Sequence, residues 1–335
     1  MQYTIWVTYE CNLKCTYCYE EKRNGYLSKE KAKDILDFII KRSNIYQDNN
    51  ISINIHGGEP LLNYDVLRYI VENIRSWNRN VFISMTTNAV LFNEENIDFI
   101  LENIDEISVS IDGTKEIHDN NRIHSNGEGT FDKVVKNLNR ILEKKKNTIA
   151  RMTVTPKTVS SLYNSVTFLH NLGFSIISPV IDQYDTRWDE NNMEILEQQL
   201  KMLSGYFAVQ NESLKVGMLE QAKYRKKSKC CPGTQTMHID TKGDIYPCAY
   251  VTGDEKFKLG DVYTGISEEA IIKINNINNK KFERCESCFW KDYCYGYRCK
   301  LFNYAISGDF EPNYTACKLE HVFLKIHKYY KVSGK

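Results

Sequence analysis

The chain has 335 residues, 42% of them hydrophobic and 12% aromatic, which is material for a large core spread over about two domains. With 44 basic against 43 acidic residues it lacks the net basic footprint of a nucleic-acid-binding protein. No run reaches the roughly 18 apolar residues of a membrane span. The N-terminus Met1-Gln2-Tyr3-Thr4-Ile5-Trp6 has no basic region followed by an apolar one, so a cytoplasmic protein with no membrane partner is expected.

In chain order, extended apolar runs fall at 4–8, 51–55, 81–86, 107–111, 149–155 and 175–181. Helical patterns lie between them at 28–43, 64–77, 94–103, 130–145 and 159–172. The first helix opens on Ser28 as its cap and places Ile35, Leu36, Ile39 and Ile40 on one face. Six β–α alternations predict a parallel sheet, either open and doubly wound or curved into a partial barrel. Beyond Asp182 the pattern changes. A long helical stretch at 191–209 precedes a basic run at 223–229, and a Gly-, Tyr- and Cys-rich region follows. That region holds one hairpin at 237–246, with Gly243 in its turn.

The eleven cysteines are clustered: three lie within 11–18, none in 19–229, and eight in 230–317. Structural disulfides do not suit a reducing compartment, and buried apolar cysteines would be scattered, so metal binding is the better reading. In the first cluster, Cys11, Cys15 and Cys18 are separated by three and then two residues. Three thiolates suit three irons of a 4Fe–4S cube, leaving one iron open. A zinc site short of one ligand remains the alternative on these residues alone.

With Tyr17 before the last cysteine, this C-x3-C-x2-C segment resembles the radical S-adenosylmethionine (SAM) signature. The resemblance implies that the open iron chelates the amino and carboxylate groups of SAM, which is cleaved reductively to a hydrogen-abstracting 5′-deoxyadenosyl radical. His56-Gly57-Gly58-Glu59-Pro60 resembles the GGEP motif of the same family, implying that Gly57, Gly58 and Glu59 serve the SAM amino group. Thr86-Thr87-Asn88 and Ser108-Val109-Ser110-Ile111-Asp112-Gly113 end the third and fourth strands, so their polar groups converge on the face where barrel enzymes keep their sites. Ser110 to Gly113, then His118-Asp119 and Arg122, resemble a stretch of the peptide- and protein-modifying members. That likeness implies a SAM contact from Ser110 and an Arg122 that pairs with the SAM carboxylate; Tyr17 in the first motif and Asn88 at the end of the third strand are further candidate SAM contacts. For His118 a satisfied structural histidine is at least as good a reading as a member of the site.

The second cluster runs Cys231, eleven residues, Gly243, four residues, Cys248, then Cys285-x2-Cys288-x5-Cys294-x4-Cys299, then Cys317. Alone, these pairs also describe structural zinc. In this order they are similar to the SPASM extension of radical SAM enzymes, departing where four residues rather than three precede Cys299. The resemblance implies an outer cluster on Cys285, Cys288, Cys294 and Cys317 and an inner one on Cys231, Cys248 and Cys299. Cys230 is a candidate fourth inner ligand; without it the inner cluster keeps an open iron for a substrate thiolate. The cofactors implied are SAM and three 4Fe–4S clusters. The fold implied is α/β: a partial (β/α)6 TIM-like barrel over 1–185, a helical linker over 186–228, and a small SPASM domain over 229–335 with a β-hairpin and a C-terminal helix.

The function implied is maturation of a ribosomally made peptide by hydrogen abstraction, forming a thioether or carbon–carbon crosslink. The alternatives are a protein dehydrogenase like the anaerobic sulfatase maturases, or a small-molecule dehydrogenase of the same superfamily. The sulfatase maturases carry an aspartate base directly after the second SPASM cysteine, where this chain has Ala249, and usually Gln where it has His56. Alanine takes no proton. A peptide substrate with a leader is therefore expected, together with a flavodoxin or ferredoxin as reductant. Ten residues precede Cys11, so a separate leader-recognition protein or direct docking is expected rather than a fused domain. The basic run at 223–229 has the charge to face an acidic leader, although a solvated face is the preferred reading. Tyr19, Glu20 and His56 lie near the expected pocket without assigned roles, and no side chain is named as catalytic base.

Overall fold

The computed structural model describes residues 1–20, 24–209, 214–222, 231 and 233–332. Cys230 and the basic run at 223–229 lie outside the described residues.

The elements in chain order begin with β1 (Gln2–Thr8), α1 (Lys29–Ile45), β2 (Asn50–Gly57), α2 (Tyr64–Arg75), β3 (Asn80–Thr87) and α3 (Glu94–Asn103). They continue with β4 (Glu106–Ser110), α4 (Lys115–Asp119), α5 (Phe131–Lys144), β5 (Ile149–Val154), α6 (Leu162–Asn171), β6 (Ile176–Ile181) and α7 (Glu190–Val209). Then come β7 (Lys215–Val216), α8 (Gly217–Ala222), β8 (Thr236–Ile239), β9 (Asp244–Tyr246), β10 (Gly260–Asp261) and β11 (Gly265–Ile266). The chain ends in α9 (Glu268–Asn278), α10 (Glu283–Glu286), α11 (Tyr295–Arg298), α12 (Lys300–Ser307) and α13 (Tyr314–Val332). The six predicted β–α alternations, the hairpin and the C-terminal helix are all present.

Two compact units share these elements. One comprises Met1–Asn12, Glu20–Ile107 and Cys230–Lys280; the other comprises Leu13–Tyr19, Ser108–Lys229 and Lys281–Lys335.

In the first unit the strand order is β11-β10-β9-β8-β1-β2-β3. The β8–β1, β1–β2 and β2–β3 pairs are parallel, while β8–β9, β9–β10 and β10–β11 are antiparallel. The hairpin therefore extends the parallel strands through β8, which ties 236–266 to the N-terminal strand. Period-2 alternation sends Tyr3, Ile5 and Val7 of β1, and Ile51, Ile53 and Ile55 of β2, into the core. Between them stand Thr4, Asn54 and Ser84, aligned across β1, β2 and β3 on the opposite face. Ser28 caps α1 by accepting from Lys31 N at 3.1 Å, and Gly243 turns the hairpin with φ +89°.

In the second unit β4, β5, β6 and β7 lie in that order, all parallel. Helix α7 buries Leu196, Leu200 and Leu203 and packs against α6 and α13. Lys318 pairs with Glu190, and Lys325 with Glu197 at 2.7 Å, fastening α13 along α7. Among the described residues no helix is long and apolar enough to cross a membrane.

Candidate iron–sulfur and cofactor site

The first cysteine segment leaves β1, with Cys11 in the first unit and Cys15 and Cys18 in the second. In the first unit Gly58 N donates to Thr8 O at 3.1 Å and Glu59 N to Glu10 O at 2.9 Å. A Cβ on Gly58 would fall 2.4 Å from Glu10 O, so only glycine lets the end of β2 lie this close. Cys11 is exposed, and Asn88 Nδ2 stands 3.9 Å from its sulfur while donating to Asn12 Oδ1 at 2.8 Å. The Asn12 amide nitrogen is buried with no hydrogen-bond partner. In the second unit Lys14 N donates to Ile123 O and Thr16 N to Asn121 O, at 2.7 and 2.9 Å, pinning the loop that bears Cys15 and Cys18. Cys18 N closes a turn on Cys15 O at 3.2 Å.

Glu59 is fully buried. Its carboxylate accepts from Leu61 N (3.1 Å), Thr87 Oγ1 (2.7 Å) and Asn88 N (2.7 Å), so it caps the short 3-10 turn Pro60–Asn63 and fixes the end of β3. Both oxygens are thus engaged by protein donors, and its positioning of Asn88 was not evident in the sequence. Burial raises its pKa to about 7, against the pull of these donors. A carboxyl raised in the folded state favours the fold fully below its ordinary value of about 4.5, and that contribution is lost as pH rises toward about 7. Unfolding free energy should fall by about 3 kcal/mol over that window from this group alone. Urea titrations at pH 5 and pH 8 check this, and the slope should flatten in Glu59→Gln.

Arg122, 7% exposed, sits in a buried network that the second unit builds around Asp112. Its Nη2 donates to Asp112 Oδ1 at 3.1 Å, and its guanidinium lies 5.3 Å from the centre of the Tyr17 ring. The Tyr17 hydroxyl donates to Asp112 Oδ2, and Thr153 N donates to Oδ1 at 3.0 Å. Burial works against the Arg122 charge, but Asp112, then Tyr17 and Cys15, more than offset it and hold its pKa above the ordinary range. Burial likewise pushes Tyr17 well above the usual phenol range, with Arg122 opposing and Asp112 adding. Arg122 Nε is buried without a hydrogen-bond partner.

His118 is fully buried and serves this network. Thr130 Oγ1 donates to Arg122 O at 2.8 Å, so it accepts from His118 Nε2 at 2.9 Å, while Asp112 N faces Nδ1 at 3.5 Å. Burial, then Arg122, lower its pKa to about 4, which keeps the ring neutral and in that tautomer. Ser110 ends β4 half-buried, paired in register with Arg151. A cavity of about 580 Å³ opens beside Tyr17, lined also by Asn121, Thr155, Lys157, Asp182 and Arg187. Burial raises the Asp182 carboxyl above its usual value. These cavity residues carried no signal in the sequence beyond their place after strands β4 to β6.

None of the ten cysteines among the described residues is in a disulfide. Cys231 and Cys248 belong to the first unit, flanking the β8–β9 hairpin; Cys285, Cys288, Cys294, Cys299 and Cys317 belong to the second. Cys288 N donates to Cys285 O at 3.0 Å, and Cys294 caps α11 by accepting from Tyr297 N at 3.3 Å. Burial pushes the Cys294 thiol up to about 12, with Glu320 and Cys317 adding. Lys300, directly after Cys299, is 3% exposed; burial lowers its pKa, against Cys285, Cys299, Glu286 and Cys294 around it. Among the described residues no three His, Cys, Asp or Glu side chains stand together as ligands of one ion. A four-iron cube takes its thiolates on separate irons, farther apart. Cysteines outside disulfides, the partnerless buried Arg122 Nε and a buried lysine next to Cys299 all fit anionic clusters and a carboxylate-bearing cofactor.

Residues 5–169 match the Radical SAM superfamily. A cysteine-type anaerobic sulfatase-maturating enzyme of Clostridium novyi (strain NT) is 27% identical over 322 residues, covering 85% of this chain and 83% of its own. The solved structure of anSMEcpe with bound AdoMet and Cp18Cys peptide superposes with a TM-score of 0.82 at 21% identity, covering 99% of this chain and 98% of that one. Streptococcus suis SuiB bound to precursor peptide SuiA gives a TM-score of 0.67 at 17% identity, with 94% and 75% covered. The fold is accordingly α/β, with the parallel sheet of a partial radical SAM barrel and a Cys-rich C-terminal region. The chain belongs to the radical SAM superfamily and is a radical SAM enzyme, with SPASM-type maturase homologues over nearly its full length.

Proposed function

We propose that the protein is a peptide maturase that abstracts hydrogen from a ribosomally made peptide to form a thioether or carbon–carbon crosslink. The observation that carries this reading is the fold shared along 99% of the chain, Cys-rich region included, with a relative that holds AdoMet and a peptide. Cys11, Cys15 and Cys18 are the residues to hold the SAM-binding cluster. Cys231, Cys248 and Cys299 would hold an inner auxiliary cluster, and Cys285, Cys288, Cys294 and Cys317 an outer one. Bound there, SAM and its cluster would supply the hydrogen-abstracting radical.

This chain's own residues bind and orient. Arg122, kept charged by Asp112, offers its unpaired Nε to the SAM carboxylate. Glu59 acts through Asn88 and the Gly57-Gly58 backbone, with Ser110 and Tyr17 completing the cofactor contacts. The cavity beside Tyr17 has room and polar groups for a ligand of nucleoside size. A leader-bearing peptide, a separate leader-recognition protein and a flavodoxin- or ferredoxin-type reductant are its partners in this reading.

Sulfatase maturation is the second reading, favoured by the curated relatives. Against it stands Ala249, at the head of a short 3-10 turn, where those enzymes have their aspartate.

The test begins with metal content. Anaerobically reconstituted protein should hold about 12 irons with matching sulfide. Given a deuterated candidate peptide, it should then transfer deuterium into 5′-deoxyadenosine. About 4 irons with zinc would leave radical chemistry standing and remove the SPASM clusters. Transfer from a sulfatase-derived cysteine peptide would establish the second reading instead.

A further inference from the structure

Lys300 opens α12 with its ammonium buried and no carboxylate bound to it among the described residues. Its Nζ donates to the Tyr297 carbonyl at 2.7 Å and stands 4.3 Å from the centre of the Tyr297 ring and 5.6 Å from that of Phe282. Those partners are dipoles and ring faces, which orient a cation without neutralising it. The nearby Glu286 is already committed: it accepts from the Tyr297 hydroxyl at 2.7 Å and pairs with Lys291 at 3.1 Å. A buried charge left without a counter-ion costs several kcal/mol, so a fold that retains one has an anion to set against it.

Cys299 directly precedes Lys300, and Tyr297, whose carbonyl holds the ammonium, donates its N–H to Cys294 Sγ at 3.3 Å. On iron these cysteines become thiolates, and a four-iron cube held by Cys285, Cys288, Cys294 and Cys317 is net negative in both oxidation states, by one more unit when reduced. We propose that Lys300 is the built-in counter-ion of the auxiliary cluster formed on the Cys285–Cys294 side, and that its charge raises that cluster's reduction potential. A fixed cation in a water-poor site stabilises the extra electron of the reduced cube more than the oxidised one. Lys300 thus tunes the cluster from beside Cys299 without ligating iron. The inference rests on the iron–sulfur reading of the second cysteine set.

Anaerobically reconstituted holoenzyme is titrated with dithionite, which gives one electron to each cube, and followed by electron paramagnetic resonance. In Lys300→Met one auxiliary couple should show at least a tenfold lower reduced-to-oxidised ratio at a fixed poise, a fall of about 59 mV. Lys300→Arg, which keeps the charge, should stay within that margin of the parent. Lys300→Gln keeps a donor for the Tyr297 carbonyl and carries the same readout should the methionine variant fold poorly. Full iron with unmoved potentials in the neutral variants overturns the proposal alone. Zinc in place of iron in the parent overturns the cluster reading beneath it.

Discussion

Replacing Arg122 with methionine is expected to destabilise the protein by about 3–5 kcal/mol, because it strands a buried carboxylate. Asp112 is fully buried, and the Arg122 guanidinium is its charged partner. Tyr17 and Thr153 would still donate to it, but two neutral donors do not replace a cation. Urea unfolding under anaerobic conditions reads the loss directly. The double variant Arg122→Met with Asp112→Asn should recover much of the stability, since neither charge remains. It should not recover SAM cleavage, because the donor offered to the SAM carboxylate is gone. Recovery of both would reduce Arg122 to a structural role.

Cys15→Ala should do the reverse, sparing the fold and ending the chemistry. The loop around it is fastened through Lys14 and Thr16 backbone, not through the Cys15 side chain, which is half-buried. Thermal unfolding should therefore shift little. Iron should fall by about 4 per chain, the content of one cube. Turnover of SAM to 5′-deoxyadenosine should drop at least ~1000-fold, since radical generation belongs to the cofactor and not to side chains. Cleavage surviving near the parental rate would mean that the first cluster does not use Cys15.

The local elements are legible in the sequence because each carries its own signal. Ser28 before an apolar helical stripe caps α1, and Gly243 between two alternating runs turns the β8–β9 hairpin. Cysteine spacing is legible for the same reason, since ligand geometry is written as separation along the chain. Pairing across long separations is not. Alternation in 236–239 sets which residues face the core, yet nothing in it names β1 as the neighbour. Packing also decided the partners of charges. Arg122 is read from its motif as a SAM ligand, while Asp112, ten residues earlier, engages it in the fold. Lys300 looks like an ordinary surface lysine along the chain, yet the fold buries it.

The placement of β1 between β2 and β8 also bears on how the chain comes off the ribosome. Its Ser52 edge is available early, but the edge that takes Thr236 to Ile239 stays open until those residues have been made. For most of its synthesis the nascent protein therefore carries an unsatisfied backbone edge beside the apolar Tyr3, Ile5 and Val7. Closing that edge is the highest-separation step in the first unit, so it governs the pace of folding more than any helix does. Chains cut short before the hairpin keep the edge exposed and are the ones expected to aggregate, which makes the N-terminal strand a timer for completion as much as a piece of sheet.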